Sequence, residues 1–245
     1  MTASPTGRFV GIDVVDLAHA RCVGKHEDAR FLRRVLSEAE LEDVSVSGEP
    51  ARKLWQLWAA KEAAFKVASK VRPKVPAFVH AAFRVAADGP GPGRGFGRVS
   101  WEELSLPVHW HQQGDRVAAL AWNGATADAA VEWGWGAASD LDPDPHAPLD
   151  ALLVRFTARE RRPVHSRPSA LVRLAARAAL ATALDVAEAR VEVVCKEGPT
   201  GRIPPEALLD GHAAPADVSL SHHGRWLAWA VRLAGPQARE GGADR

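Results

Sequence analysis

The chain has 245 residues, of which 47% are hydrophobic and 25% are charged, and its formal net charge at pH 7 is +1. This composition is that of an ordinary globular protein, and the near-neutral charge gives no general affinity for nucleic acid or a membrane surface. Cys22 and Cys195 are too few for a disulfide framework and lack the spacing of a metal site. Without the apolar core of a signal peptide or a bilayer-spanning run, the sequence predicts a cytoplasmic protein.

The first predicted element is a strand that carries an acid inside an apolar run. Residues 9–17, FVGIDVVDL, have the short apolar pattern of a buried strand, with Asp13 in its middle and Asp16 near its end. A carboxylate held away from water costs several kcal/mol or more unless a cation or hydrogen bonds compensate it. Asp13 therefore needs a partner from elsewhere in the chain.

The second predicted element is a long helix over residues 51–70, in which charge interrupts an apolar stripe. Glu62 and Lys66 are four residues apart, and the simplest interpretation of that spacing is a surface ion pair. Lysines are concentrated in the same region, at Lys53, Lys61, Lys66, Lys70 and Lys74. Because Mg²⁺ takes one or two carboxylates plus phosphate oxygens, and lysines neutralise the remaining charge, the pattern also suits a polyphosphate site.

Three segments rich in glycine, proline or polar residues divide the chain. Residues 88–98, DGPGPGRGFGR, are predicted to be an exposed loop between two strands. Residues 138–150 are acidic and rich in proline, which favours an interdomain linker, and residues 235–245 are predicted to be a disordered tail. The linker therefore separates a first unit, 1–137, from a second unit, 151–234.

The two units resemble each other. LWAAKEAAF (57–65) aligns with RLAARAALA (173–181), and VHWHQQGDRVAALA (108–121) aligns with VSLSHHGRWLAWAV (218–231). We expect an α+β fold, a pseudodimer of two repeats in which a long helix packs on a small antiparallel sheet. Since Glu62 aligns with Ala178 and the SHHG segment aligns with HQQG, we expect one composite site between the repeats.

The second unit offers candidate phosphate ligands. VSLSHHGRW (218–226) predicts a strand that ends in a tight turn at Gly224, where Ser221 and His222 can hold a phosphate. A turn with surface histidines is the alternative. A Ser–His–Asp hydrolase is disfavoured because adjacent strand residues point to opposite faces. The segments 196–204 and 159–168 contribute Arg202 and Arg167, and each segment is equally consistent with a solvated basic surface.

Three segments together resemble the signatures of the 4'-phosphopantetheinyl transferases: GIDVVDL (11–17), WAAKEAAFK (58–66) and SLSHHG (219–224). The resemblance covers most of residues 9–125 and, more loosely, 165–231. The acid-bearing half comes first here, whereas it follows the SH-bearing half in the two-domain members of this family. The second acid stands three residues after the first, as in the short holo-acyl-carrier-protein synthases.

The resemblance implies roles for individual residues. Asp13 and Glu62 would bind Mg²⁺, with Asp16 or a water at the third position. Lys66 would contact the phosphates or help to deprotonate the carrier serine, and Lys61 would contact the nucleotide. Coenzyme A phosphates would be held by Ser221 and His222, with Arg202 and Arg167 as further candidates.

The activity that the resemblance implies is Mg²⁺-dependent transfer of 4'-phosphopantetheine from coenzyme A to a serine of an apo acyl or peptidyl carrier protein, releasing 3',5'-ADP. We expect a monomer with no nucleic-acid or membrane partner. Two alternatives stay open at this point: a Mg²⁺-dependent phosphohydrolase that uses Asp13 and Asp16, and a non-catalytic relative that binds carrier proteins. The general base is also open between Glu62, Lys66 and a metal-bound water.

Overall fold

The amino-terminal half consists of a long helix packed on a five-stranded antiparallel sheet. The computed structural model describes residues 8–72, 76–91, 94–124, 131–198 and 201–234, without the side chains of 88–91, 94, 197–198 and 201–202. The sheet has the order β1-β5-β4-β3-β2. Its strands are β1 (Val10–Asp16), β2 (Arg84–Gly91), β3 (Arg94–Trp101), β4 (Leu104–Gln113) and β5 (Arg116–Trp122).

The helices that accompany this sheet are α1 (Ala29–Val35), α2 (Glu38–Ser45) and α3 (Pro50–Val71). Helix α3 covers one face of this sheet, and two shorter helices precede it, of which α2 packs on α3. The long helix α3 agrees with the predicted helix over 51–70. Its buried apolar residues, including Leu54, Leu57 and Val67, belong to the core of this half, and the helix contacts the sheet mainly at β1 and β5. A proline at the first position suits a helix start because that residue needs no backbone N–H donor.

Gly11 of β1 sets how closely α3 approaches the sheet. A Cβ atom at this position would stand 2.0 Å from the carbonyl oxygen of Ala63 and 3.2 Å from Cβ of Lys66. Only a glycine therefore allows the helix backbone to lie against β1. This contact brings the middle of α3 over the middle of β1, where the charged side chains of both elements meet.

The carboxy-terminal half repeats the plan with one long helix and smaller antiparallel sheets. Helix α7 packs on the sheet β12-β13-β6, and a second sheet has the order β11-β10-β7. The helices of this half are α4 (Ala138–Leu141), α5 (Leu149–Leu153), α6 (Ala158–Arg161) and α7 (Arg167–Leu184). The strands are β6 (Val131–Ala137), β7 (Val191–Val194), β8 (Glu197–Gly198), β9 (Gly201–Arg202), β10 (Glu206–Leu209), β11 (His212–Ala213), β12 (Ala216–His223) and β13 (Trp226–Leu233).

The observed fold confirms the predicted α+β class, with a long helix on an antiparallel sheet in each half. The aligned segments form corresponding hairpins, β4–β5 and β12–β13, whose turns contain Gly114 and Gly224 with φ of 58° and 55°. That the halves are repeats of one ancestral unit stays a prediction. Among the described residues, no helix has the length and apolar character needed to cross a membrane.

Two sequence-based boundaries differ from the structure. The predicted loop 88–98 is mostly strand, because β2 continues to Gly91 and β3 resumes at Arg94; residues 92–93 lie outside the described part. Strand β6, assigned by sequence to the first unit, pairs along its length with β13. We therefore propose that the second unit begins before residue 131. The tail 235–245 lies outside the described residues.

The two halves are joined along the outer edge of β1. This strand pairs with β5 on one side only, and on its other side every second N–H donates to a side chain of β12. The four bonds run from Val10 to Asp217 Oδ2 (2.7 Å), Ile12 to Ser219 Oγ (3.0 Å), Val14 to Ser221 Oγ (3.2 Å) and Asp16 to His223 Nδ1 (3.1 Å). We call these four contacts the β1–β12 side-chain ladder. It satisfies a buried strand edge that would otherwise carry unpaired donors.

Replacing Gly11 with alanine is expected to reduce the free energy of unfolding by about 3 kcal/mol, because the new Cβ meets backbone that must move away from β1. Urea unfolding followed by circular dichroism measures this change. The control is Gly48→Ala, where a Cβ meets nothing within 4 Å. Equal stability of the two variants would contradict the close packing of α3 on β1.

Candidate active site

A cavity of about 670 Å³ lies where α3, β1 and β12 meet, with α7 and the segment 203–205 on its walls. This volume is in the range of small-molecule sites. The polar and charged residues on its walls come from both halves: Asp13, Arg21, Glu62, Lys66, Ser69, Lys70, Ser169, Arg173, Ser219, Ser221, His222 and His223. The aromatic side chains of Trp55, Trp58 and Phe65 line it as well.

Asp13 lies in the centre of this wall and is 8% exposed. Its Oδ1 accepts hydrogen bonds from Lys66 Nζ at 2.9 Å and from Ser221 Oγ at 2.8 Å. Burial raises the pKa of Asp13; the ammonium of Lys66 opposes this rise, and the charge of Glu62 adds to it. The cation that the apolar strand required is therefore Lys66, and Glu62 is close enough for its charge to repel that of Asp13.

Lys66 connects the two halves at the cavity. Besides Asp13, its Nζ donates to the carbonyl oxygen of Ile12 at 2.7 Å and to that of Leu220 at 3.4 Å. An ammonium has three protons, and these three acceptors use all of them. Lys66 thus contacts Asp13 and both strands rather than forming a surface pair with Glu62.

Glu62 stands one turn before Lys66 on α3 and keeps part of its carboxylate accessible, with 24% of the side chain exposed. Its Oε1 lies 3.4 Å from Nε2 of His80. The imidazole of His80 is packed between the rings of Trp58 and Phe78, whose centroids are each 4.0 Å from its own. This packing fixes the position of His80. Its Nε2 has no hydrogen-bond partner among the described residues, so the ring lies near the Glu62 carboxylate without a hydrogen bond to it.

Ser221 and His222 both line the cavity but have different surroundings. The hydroxyl of Ser221 accepts the N–H of Val14 in the side-chain ladder and donates to Asp13. His222 is exposed. Ser221 therefore orients Asp13, whereas His222 is an exposed residue of the cavity wall.

The structure contradicts the proposed nucleotide contact of Lys61. Its side chain is 0% exposed, and Nζ donates to Glu40 Oε2 at 2.6 Å and to the carbonyl oxygen of Val35 at 2.8 Å. Burial lowers the pKa of Lys61, while the charge of Glu40 opposes that change. Lys61 thus anchors α2 beneath α3 and does not line the cavity.

Asp16 also takes a different role from the predicted metal ligand. It is 2% exposed, and its carboxylate accepts hydrogen bonds from the N–H of Ala18 and from the backbone, Nε and Nη2 of Arg225. Burial by itself raises the pKa of Asp16, but the hydrogen bonds from Arg225 and Ala18 outweigh it and hold that pKa below its ordinary value. Gly224 is required beside it, since a Cβ there would stand 2.4 Å from Asp16 Oδ2.

The two arginine candidates do not add to the described cavity wall. Arg167 begins α7, where its guanidinium binds the Asp142 carboxylate and the carbonyl oxygens of Asp144 and Ala147. This role as an anchor of residues 142–147 replaces the predicted contact with coenzyme A. The backbone of Arg202 lies in β9, and its side chain lies outside the described residues.

The carboxylates present at the cavity fit a magnesium ion that is completed by substrate. Among the described residues, no three His, Cys, Asp or Glu side chains form a metal-binding group. Asp13 and Glu62 give two carboxylates of like charge whose interaction is unfavourable without a cation. Mg²⁺ commonly binds one or two carboxylates and takes its other ligands from phosphate and water. The donor set therefore fits the ion.

Lys70 and Arg173 line the cavity but were not among the predicted site residues, although Lys70 belongs to the lysine-rich region noted in the sequence. Lys70 Nζ donates to Asp217 Oδ2 at 2.8 Å and to the carbonyl oxygens of Val10 and Val218. A signal for it existed, because Lys70 follows Lys66 by four residues and so shares its helix face. For Arg173 the corresponding signal is a charge in the apolar stripe of α7.

Comparison with known proteins finds similarity in the amino-terminal half of the chain. Residues 9–121 match the family model ACPS, described as the 4'-phosphopantetheinyl transferase superfamily. The chain is 40% identical over 72 residues to a holo-[acyl-carrier-protein] synthase of Azoarcus sp. (strain BH72). The aligned region covers 29% of this chain and 57% of that relative. The chain thus spans little more than half the length of this curated relative.

Two solved structures show partial similarity. The holo-[acyl-carrier-protein] synthase of Neisseria meningitidis matches with 19% identity and a TM-score of 0.37, covering 46% of this chain and 95% of that one. The acyl carrier protein synthase of Mycobacterium tuberculosis matches with 26% identity and a TM-score of 0.34, covering 49% and 100%.

The family match contains β1 and α3, the two elements that supply Asp13, Glu62 and Lys66 to the cavity. The resemblance carried by the motifs at residues 11–17 and 58–66 is therefore confirmed by an independent comparison, whereas residues 219–224 lie outside the match. Residues 9–121, a little under half of the chain, are thus similar to the 4'-phosphopantetheinyl transferase superfamily.

Proposed function

We propose that this protein transfers the 4'-phosphopantetheine group of coenzyme A to a serine hydroxyl of an apo carrier protein. One observation carries the proposal: Asp13, Glu62 and Lys66 of the family-matched region line one cavity with Ser221 and His222 of the other half. The cavity thus combines two carboxylates, a fixed ammonium and an imidazole. Such a set suits the handling of a pyrophosphate better than the binding of an uncharged ligand.

In the proposed reaction, the serine oxygen attacks the β-phosphorus of coenzyme A, and the bond to the bridging oxygen breaks to release 3',5'-ADP. Lys66, whose ammonium is fixed by its three acceptors, stabilises the negative charge of the phosphates. His222, exposed at the cavity, donates to a phosphate oxygen. Ser221 holds Asp13 in position.

Asp13 and Glu62 are the residues that would hold Mg²⁺, and the bound ion would neutralise charge on the pyrophosphate and the leaving oxygen. Glu62 is the side chain best suited to accept the serine proton, because its carboxylate lines the cavity and is partly accessible. Lys66 is less suited. Its ammonium would first have to release a proton, and with it one of its three hydrogen bonds, before it could accept the serine proton.

The site also bears on the alternatives. A phosphohydrolase that uses Asp13 and Asp16 is disfavoured, because the Asp16 carboxylate is bound by Arg225. A non-catalytic carrier-binding protein would bind an apo carrier without modifying it. We extend the proposal to acyl and peptidyl carriers, to action as a monomer and to a cytoplasmic location.

The transfer is tested by incubating the chain with coenzyme A, Mg²⁺ and a panel of apo acyl and peptidyl carrier proteins, and weighing the carriers by mass spectrometry. We expect a carrier to gain one phosphopantetheine. Asp13→Asn and Glu62→Gln are expected to slow the transfer at least about 100-fold, because each removes a charge that positions the cation or the proton acceptor.

The matched control for these two variants is Glu132→Gln, an exposed carboxylate on β6, which is expected to keep the wild-type rate. Thermal unfolding verifies that each variant is folded. Absence of a mass gain on every carrier would contradict the proposed function. A near-normal rate in Asp13→Asn or Glu62→Gln would contradict the assigned site.

Asp16 is expected to affect stability rather than transfer. Because its pKa is lowered in the folded chain, the ionised Asp16 stabilises the fold above its ordinary pKa of 3.8, and this contribution disappears as the pH falls through the lower folded value. Asp16→Asn should therefore cost about 1–2 kcal/mol of unfolding free energy at pH 7 and progressively less below about pH 4.

Denaturant unfolding of wild type and Asp16→Asn from pH 7 to pH 3 measures this difference, with the exposed Asp150→Asn as its control. The carrier assay at pH 7 is expected to give the same rate per folded molecule for wild type and Asp16→Asn. Loss of transfer by a folded Asp16→Asn variant would contradict the structural role of Asp16 and indicate that it takes part in the reaction.

A further inference from the structure

Arg173 is a buried cation on the cavity wall that lacks a carboxylate partner among the described residues. The residue is 3% exposed and lies on α7, in the half of the chain outside the family match. Its Nη1 donates to the carbonyl oxygen of Ser169 at 2.7 Å and to the hydroxyl of the same serine. Its Nε is buried and has no hydrogen-bond partner within the described part of the chain.

Two other cations of the cavity are paired with carboxylates. Lys66 binds Asp13, and Lys70 binds Asp217. Taking a guanidinium out of water costs several kcal/mol unless an anion or a full set of acceptors compensates it. The two bonds to Ser169 use only part of the five donors that Arg173 carries. The cavity wall thus holds a donor set that is complete only when an anion enters.

We propose that Arg173, together with the hydroxyl of Ser169, binds a phosphate group of coenzyme A. This inference rests on the proposed function, which supplies the anion: the charged groups of coenzyme A are its pyrophosphate and its 3'-phosphate. A guanidinium binds a phosphate through two parallel N–H donors, which makes arginine well suited to this role. The carboxy-terminal half would then contribute substrate affinity while the carboxylates come from the amino-terminal half.

An anion-binding role differs from a structural role in its effect on stability. Arg173→Met keeps much of the side-chain volume and removes a buried charge, so the ligand-free chain should unfold at the same temperature or a higher one. Coenzyme A should bind this variant about 10- to 100-fold more weakly, because charge-assisted hydrogen bonds are lost. Arg173→Lys keeps the charge without the planar fork and should bind with intermediate affinity.

Isothermal titration calorimetry with coenzyme A and with 3'-dephospho-coenzyme A tests the proposal on the full chain. Arg190→Gln is the control, because Arg190 is exposed, pairs with Asp210 and does not line the cavity. If Arg173 binds the 3'-phosphate, wild type and Arg173→Met should bind the dephospho compound equally. If it binds the pyrophosphate, the variant should bind both compounds more weakly.

Wild-type affinity for coenzyme A in Arg173→Met would overturn the inference, and so would a drop of several degrees in unfolding temperature with the affinity unchanged. If Arg173→Met does not fold, the folded Arg173→Lys decides, with weakened binding supporting the proposal and unchanged binding overturning it. Carrier modification by wild type alongside any of these negative results overturns the role of Arg173 alone. Failure of wild type to bind coenzyme A overturns the proposed function as well.

Discussion

The side-chain ladder between β1 and β12 is the contact on which the site depends. An edge strand in the interior of a protein exposes donors that must be satisfied, and here the donors of β1 are satisfied by Asp217, Ser219, Ser221 and His223. The partners are side chains at every second position, so β12 lies beside β1 without extending its sheet. Two separate sheets are thereby fixed against each other at one register.

The carbonyl groups on the same edge are satisfied by lysines of α3. Lys66 binds the carbonyl oxygens of Ile12 and Leu220, and Lys70 binds those of Val10 and Val218. Each lysine therefore connects β1 with β12 while also neutralising an acid, Asp13 or Asp217. Structural and proposed catalytic roles are combined in Lys66, which explains why a helix of the first half and a strand of the second share a single cavity.

The sequence predicted the first strand, the long helix and the need of Asp13 for a cation, but it did not identify Lys66 as that cation. An acid in the apolar strand required a cation, and Lys66 from the predicted helix provides it. The helical period also predicts that Lys61 is buried, because it lies on the same face of the helix as Leu54 and Leu57. A buried lysine requires a partner for its charge. That partner, Glu40, stands on a separate short helix, and no local pattern connects the two residues.

Strand geometry explains the outcome for Asp16, since residues three apart in a strand point to opposite faces. Asp13 faces α3, whereas Asp16 reaches Arg225 of the second half. The ladder itself could not be predicted, because SLSHH has the same alternation whether its hydroxyls face water or a neighbouring backbone. The role of Arg173 could not be predicted for a similar reason. The sequence shows an arginine within an apolar stripe, but only the structure shows that a cavity lies beside it.

Amide hydrogen exchange of β1, followed residue by residue by NMR, tests this account most directly. If β12 satisfies the outer edge in solution, the amides of Ile12 and Val14 should exchange as slowly as those of Gly11 and Asp13 on the edge facing β5, through global unfolding alone. Fast exchange at Ile12 and Val14, with Gly11 and Asp13 still protected, would show that the halves separate. That result would contradict a composite site formed by both halves.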